Sequence, residues 1–338
     1  MKNKNIYELT NPQKSIWNTE LFFNGSNINN ICGTININEP LNLNILKQSL
    51  NLIINENDNF RSKFVIQDGS IFQYFEDTIN YNIDIVKIRT EDDLHELEKV
   101  SMSHIFNILN ADLFDIKIFQ YPDLTGGVIV NIHHIIADSW TLGLMAKETI
   151  NKYYSLCNNI STETNKYSYV DYINSEKKYI SSSKYLKDKQ FWKDYLKNRP
   201  DSVTIPNNLK NSNNDFSSIG TRKIFKLENS YIKKINTFCK NHNTSLFSFF
   251  MAIYSIYIGR VNNLNDFIFG TPILNRTNSA QKNTMGMFIN TIPFRVKIED
   301  NQSFLTFLNS IALNLTSVLR HQKHSYQYII EDLRKEDP

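Results

Sequence analysis

The spacing of apolar residues changes period along the chain, and each change marks an element. Gly127-Val-Ile-Val-Asn-Ile132 is short, apolar and β-branched, which predicts a buried strand. Directly behind it, Ser139 to Leu156 has helical spacing, with Trp140, Leu142, Leu144, Met145 and Ile150 at apolar positions and Ser139 placed to cap the start. Upstream, Thr10 and Pro12 predict a helix start, Asn27–Asn38 alternates as a strand, and Leu41–Ile54 is an amphipathic helix. Asp68-Gly69 predicts a hairpin within Phe60–Phe75. A strand at Ile83–Ile88 and a helix at Glu91–Phe106 lead to a second hairpin, Phe114–Phe119 with Gly127–Ile132.

Helices at Tyr167–Tyr172 and Lys187–Leu196 follow, then an aperiodic polar stretch, Pro200–Gly220, that reads as a loop or linker. Beyond it the pattern predicts a strand at Thr221–Leu227, helices at Asn229–Lys240 and Leu246–Ile258 (the latter capped by Thr244), strands at Phe267–Leu274 and Phe288–Ile298, and a helix at Phe304–Arg320. This mixture predicts an α/β sandwich with largely antiparallel pairing. Similar arrangements before and after the linker predict two related lobes, 1–177 and 178–338, a division that 338 residues also favour.

Composition narrows the function classes. A net charge of +3, spread along the chain with no basic patch among stacking aromatics, speaks against nucleic-acid binding. Cys32, Cys157 and Cys239 lack paired spacing, as expected for buried thiols in a reducing compartment. No signal-like start or membrane-length apolar run stands out, so a soluble cytoplasmic protein without membrane contact is expected.

The chemistry-bearing stretch is Asn131-Ile-His-His-Ile-Ile-Ala-Asp-Ser-Trp140, where the strand meets the helix. A histidine pair on a loop is more often structural than catalytic. Alternation turns one of His133 and His134 to the core and the other to a crevice, where an imidazole can hold or move a proton near neutral pH. Asp138 can fix the imidazole or pair with a buried arginine; Arg61, between Phe60 and Phe64, is such an arginine or else an exposed charge. No metal is expected: His321 and His324 share a helical spacing but lack a third ligand. No nucleophile elbow or phosphate loop is present.

These residues resemble the condensation domains of nonribosomal peptide synthetases. His133-His-Ile-Ile-Ala-Asp-Ser139 is similar to the family's HHxxxDG motif, Leu9-Thr-Asn-Pro-Gln-Lys-Ser-Ile-Trp17 to (S/T)xxQxRxW, and Asn57-Asp-Asn-Phe-Arg-Ser-Lys-Phe64 to RHExLRTxF. Tyr169-Val-Asp-Tyr172 resembles YxDYA, Met285-Gly-Met-Phe-Ile-Asn-Thr291 with Arg295 resembles GxFxNTxxxR, and His321-Gln-Lys-His-Ser-Tyr326 resembles HQxxPF. Each match alone is weak; six in order over nearly the whole chain are specific.

The resemblance implies two chloramphenicol acetyltransferase-like lobes in a V, and amide formation between a donor acyl or peptidyl thioester and the α-amine of an aminoacyl thioester. Donor and acceptor carrier proteins would present the substrates on phosphopantetheine, or CoA would carry the donor, with no cofactor of the domain's own. An adenylation domain downstream in the same polypeptide and a monomeric state are further implied. His134 would accept the amine proton or, preferably, position the amine, since an α-amine of pKa near ~8 is already partly neutral. His133, Asp138, Ser139 and Arg61 would support it, with Asp138 paired to Arg61, and Trp17, Gly286, Asn290 and Thr291 would lie along the substrate tunnel or the lobe interface.

Ser139 stands where the motif has Gly, Asn57-Asp58 where it has His-Glu, and Pro338 precedes the place of the last motif, RDxSRNPL, so an incomplete second lobe is expected. The opening through Phe22 is most like the domains that begin lipopeptide synthetases, favouring a fatty acyl donor and initiation over elongation. A free-standing acyl-CoA-dependent acyltransferase and a catalytically silent carrier-docking module stay open; epimerase and heterocyclisation branches are disfavoured.

Overall fold

The computed structural model describes residues 4–162, 164, 166–200, 203 and 223–336. Its elements run β1 (Tyr7–Glu8), α1 (Asn11–Phe22), β2 (Asn30–Ile37), α2 (Leu43–Glu56), a 3-10 turn (Asp58–Arg61), β3 (Ser62–Gln67), β4 (Ser70–Phe75), β5 (Asp84–Lys87), α3 (Glu91–Met102), β6 (Phe114–Gln120), β7 (Gly126–His133) and α4 (Ser139–Cys157). Then follow α5 (Tyr169–Ile180), α6 (Ser183–Tyr195), α7 (Asn229–Asn241), α8 (Leu246–Asn262), β8 (Asp266–Ile273), α9 (Ser279–Asn283), β9 (Asn290–Lys297), α10 (Phe304–Arg320) and α11 (Tyr326–Glu336). The chain folds as two compact units, Met1–Ser181 with Leu274–Ile289, and Ser182–Ile273 with Asn290–Pro338.

In the first unit a four-stranded sheet, ordered β2-β7-β6-β5, is flanked on both faces; among the described residues every ladder is antiparallel except β5 with β6. All eight residues of β7 are buried. Alternation divides them: Val128, Val130 and Ile132 join the core with α2 and α4, while Ile129 packs with Leu94 and Leu97 of α3 on the opposite face. A second sheet, β1-β4-β3, is built on the Asp68-Gly69 hairpin turn, where both residues have positive φ. The second unit packs α6, α8, α10 and α11 with the β8–β9 pair around Trp192, Phe267, Phe294 and Leu308. Within it α8 leaves Phe247, Phe250, Tyr254 and Tyr257 exposed. Among the described residues no single helix is long and apolar enough to cross a membrane.

Several local expectations need correction. The cap of α4 is Asp138, not Ser139, and that of α8 is Ser245, not Thr244, because those side chains accept the Thr141 and Ser248 N–H groups. Helix α3 stops at Met102; Phe106 leaves the helical path to bury itself edge-on to His133. Residues 223–227 form no strand, Thr221 lies outside the described residues, and so does the Pro200–Gly220 stretch apart from Pro200 and Val203. β1 and α9, of two and five residues, are too short to show a period, whereas α11 is amphipathic and falls outside the predicted elements. Of the three free thiols only Cys239 is buried; Cys157 is exposed and Cys32 intermediate.

The start of α1 is fixed by a reciprocal capping box between Thr10 and Gln13 and by the Glu176 carboxylate, which accepts from Asn11 N–H at 2.9 Å. Burial pushes the Glu176 carboxyl up to about 7, against that hydrogen bond and the nearby charge of Lys14. A folded value above the ordinary 4.5 means that the folded chain holds the extra proton. Stability fully present below that ordinary value is therefore lost as pH rises through about 7, by on the order of 3 kcal/mol. Thermal midpoints measured at pH 5 and pH 8 should fall for the parent chain and fall much less for Glu176→Gln, which keeps the acceptor without the titration.

A histidine loop held by a buried ion pair

β7 delivers the histidines. His133, the last residue of the strand, is buried; its N–H donates to Leu113 O at 2.9 Å and its ring meets Phe106 edge-on. Ile135 N–H donates to its Nδ1 at 3.2 Å, so the ring proton is assigned to Nε2, which faces Glu20 Oε2 at 3.3 Å. His134 follows with its N–H on Asn29 O at 2.7 Å. Its ring is partly buried, and Nδ1 is sealed from solvent without a well-aligned partner. Burial lowers the His134 pKa below the ordinary histidine value, with the carbonyls of His134 and Ala137 and the charge of Asp138 acting in the opposite sense. The imidazole is thus neutral at pH 7, able to accept a proton or a hydrogen bond.

Two side chains brace the loop through its carbonyls. Gln13 Nε2 donates to Ile135 O at 3.2 Å and to Gln73 at 2.9 Å, and Asn59 Nδ2 donates to Ile136 O at 3.2 Å. Asp138 closes the loop. Its carboxylate, fully buried, accepts from Thr141 N–H at 2.8 Å, Phe288 N–H at 3.1 Å and Arg276 Nη2 at 3.0 Å on each oxygen. Arg276 also donates to Thr284 O at 2.6 Å, and its Cζ sits 3.9 Å from the centre of the Phe288 ring. Thr141 Oγ1 accepts from Gly286 N–H at 3.0 Å.

The expected pairing of Asp138 with Arg61 is therefore wrong. Arg61 is neutralised within its own 3-10 turn by Asp58, 2.6 Å away, and donates to the carbonyls of Glu76 and Asp77. Asp58 in turn accepts from Tyr169 N–H at 3.0 Å and from Ser168, so this pair anchors the start of α5. Ser139 needs no positive φ: it is the first residue of α4, exposed beside a cleft that also takes in Trp140, Lys147 and Asn278. Gly286 does need its glycine, with φ +153°; a Cβ there would lie 2.2 Å from the Tyr169 ring.

The model of the condensation domain family matches residues 3–338. The chain belongs to this family. Surfactin synthase subunit 1 of Bacillus subtilis (strain 168) is 28% identical over 342 residues, which cover 98% of this chain and 9% of that protein. The dimodular nonribosomal peptide synthase of the same organism is 23% identical over 333 residues, covering 97% and 14%. The chain therefore spans only 9% and 14% of the length of these two curated relatives.

Solved condensation domains share its fold, so the acetyltransferase-like α/β architecture holds. The domain of the monacolin K polyketide synthase MokA superposes with TM-score 0.85 at 17% identity, over 97% of this chain and 76% of that one. A starter condensation domain of rhizomide synthetase in complex with C8-CoA gives TM-score 0.81 at 19% identity, over 97% and 75%.

Within this condensation domain the structure gathers His133, His134, Asp138, Ser139 and Gly286 in the first unit, with Trp17 of α1 packed on the same core. Asn290 and Thr291 begin β9 of the second unit, where Asn290 donates to Gln322 O at 3.4 Å. His321 and His324 are engaged elsewhere in that unit, by Asp188 at 2.6 Å and Asp332 at 3.3 Å. Arg276, Glu20 and Asn29 escaped the sequence reading. Only Arg276 leaves a trace, following the left-handed Asn275 just past a strand.

Removing Arg276 strands a carboxylate of zero exposure. Arg276→Met should cost roughly 3–5 kcal/mol by urea unfolding, and the double variant Asp138→Leu/Arg276→Met should recover part of that loss.

Proposed function

We propose that this condensation domain joins a donor acyl thioester to the α-amine of an aminoacyl thioester on a carrier protein. The carrying observation is His134: a neutral, partly sealed imidazole on a loop whose every flank is hydrogen-bonded, in a chain matched by the family model from end to end. Amine nitrogen attacks the thioester carbonyl, the tetrahedral adduct collapses, the C–S bond breaks, and the proton lost by nitrogen ends on the departing thiol. His134 holds the attacking amine and relays that proton. Most of the rate comes from bringing two tethered substrates together in register, and a neutral imidazole hydrogen-bonded to the developing ammonium adds electrostatic stabilisation.

His133 and Asp138 act as scaffold, Arg61 and Ser139 as local supports. Trp17 and Gly286 of the first unit and Asn290 and Thr291 of the second are further candidates for substrate contact. The donor is a fatty acyl group on CoA or on a carrier, a reading supported by the likeness to surfactin synthase subunit 1 and by the fold shared with a starter domain bound to C8-CoA. Phosphopantetheine belongs to the substrates. Carrier proteins and an adenylation domain are its partners, as the much longer relatives suggest, and such thioesters place the work in the cytoplasm.

The test incubates the protein with an aminoacyl-loaded carrier and a panel of acyl-CoA, acyl-carrier and peptidyl-carrier donors, and reads the acceptor's mass. An acyl-sized gain that drops by about 10²-fold or more in His134→Ala is the expected outcome. Gain from peptidyl carriers alone would make the domain an elongating one. Carrier binding without any gain would overturn the enzymatic reading in favour of a docking module.

A further inference from the structure

We infer that Glu20 is a positioning residue for the reaction at His134, acting through the two hydrogen-bonded arms that bracket the catalytic imidazole. The inference rests on the proposed role of His134. Glu20 lies on the inner side of α1 with 8% of its surface exposed, and one oxygen, Oε2, serves both arms. On one arm it faces His133 Nε2 at 3.3 Å, while His133 Nδ1 accepts from Ile135 N–H at 3.2 Å. On the other arm it accepts from Asn29 Nδ2 at 2.8 Å, while Asn29 O accepts from His134 N–H at 2.7 Å. The residue before His134, the residue after it and its own backbone N–H thus all trace back to one carboxylate.

The chemistry explains the residue types. Position 133 must accept from a backbone N–H and donate to a carboxylate at the same time, which a neutral imidazole does with its two nitrogens. A carboxylate is the group that fixes which nitrogen carries the proton, because it accepts and never donates when ionised. Burial raises the Glu20 carboxyl's pKa, but the hydrogen bonds from His133 and Asn29 outweigh it and leave the net direction downward, so the group stays ionised. The Phe106 ring packs edge-on to the imidazole, with centroids 6.2 Å apart.

A carboxylate that holds His134 in place should govern turnover more than binding. Glu20→Leu should lower kcat on the order of 10- to 100-fold with KM for the loaded acceptor within about twofold, since a misplaced reacting group costs rate rather than affinity. Glu20→Gln retains an acceptor oxygen and should recover most of that loss. Long-range 1H–15N spectra of the full chain supply a readout independent of turnover: His133 should be protonated at Nε2 in the parent and Glu20→Gln, and lose that preference in Glu20→Leu. Unchanged kcat in folded Glu20→Leu, or equal losses with raised KM in both variants, would overturn the inference. If Glu20→Leu does not fold, a Glu20→Gln kcat equal to the parent's with His133 protonated at Nδ1 would do the same. Absence of turnover in the parent counts against the proposed function alone, and the His133 spectra then decide the role of Glu20.

Discussion

Everything near the candidate site depends on one buried charge being answered. Asp138 sits at zero exposure, an arrangement that is unfavourable by several kcal/mol unless opposite charge and directed donors surround it. Arg276, Thr141 and the Phe288 amide do so together. The result is geometric: the histidine loop cannot relax without also releasing the 274–289 segment, and that segment is threaded through Gly286 against Tyr169, whose hydroxyl donates to Met287 O at 2.7 Å. A loop that would otherwise be mobile is tied at both ends and in its middle.

On this frame the adjacent histidines do opposite work because strand alternation ends between them. His133 still obeys the pleat and is spent on internal bonds, donor on one nitrogen and acceptor on the other. His134 lies one residue past the ladder and keeps a ring nitrogen that is not sealed off. Partial burial keeps it uncharged, leaving an imidazole that can accept a proton or a hydrogen bond.

What could be read from the sequence was local. The Thr10 cap, the Asp68-Gly69 turn and the β-branched run of β7 specify their structures within a few residues, and the structure reproduces them. The family likeness followed from short motifs in order, and it too was correct. Partner choice was not local. Arg61 carried the motif position and the apolar neighbours expected of Asp138's counter-ion, yet Asp58, three residues away, captures it. The true partner, Arg276, stands 138 residues from Asp138, and neither periodicity nor spacing reaches that far. Glu20 escaped for the same reason: on a helix beside Trp17 it reads as a surface acid, and only the packing of α1 against the end of β7 reveals its use.

The first unit is discontinuous, and this has a consequence for how the protein comes into being. Its histidine loop is complete on the ribosome long before Arg276 exists, because 138 residues separate the ion pair. At roughly 5–20 residues per second that interval is on the order of 10 s. For that time the nascent loop must keep Asp138 hydrated or protonated, since no countercharge is there to bury it with. The His134 ring therefore takes its final place late in synthesis, after the intervening stretch of the second unit has been made.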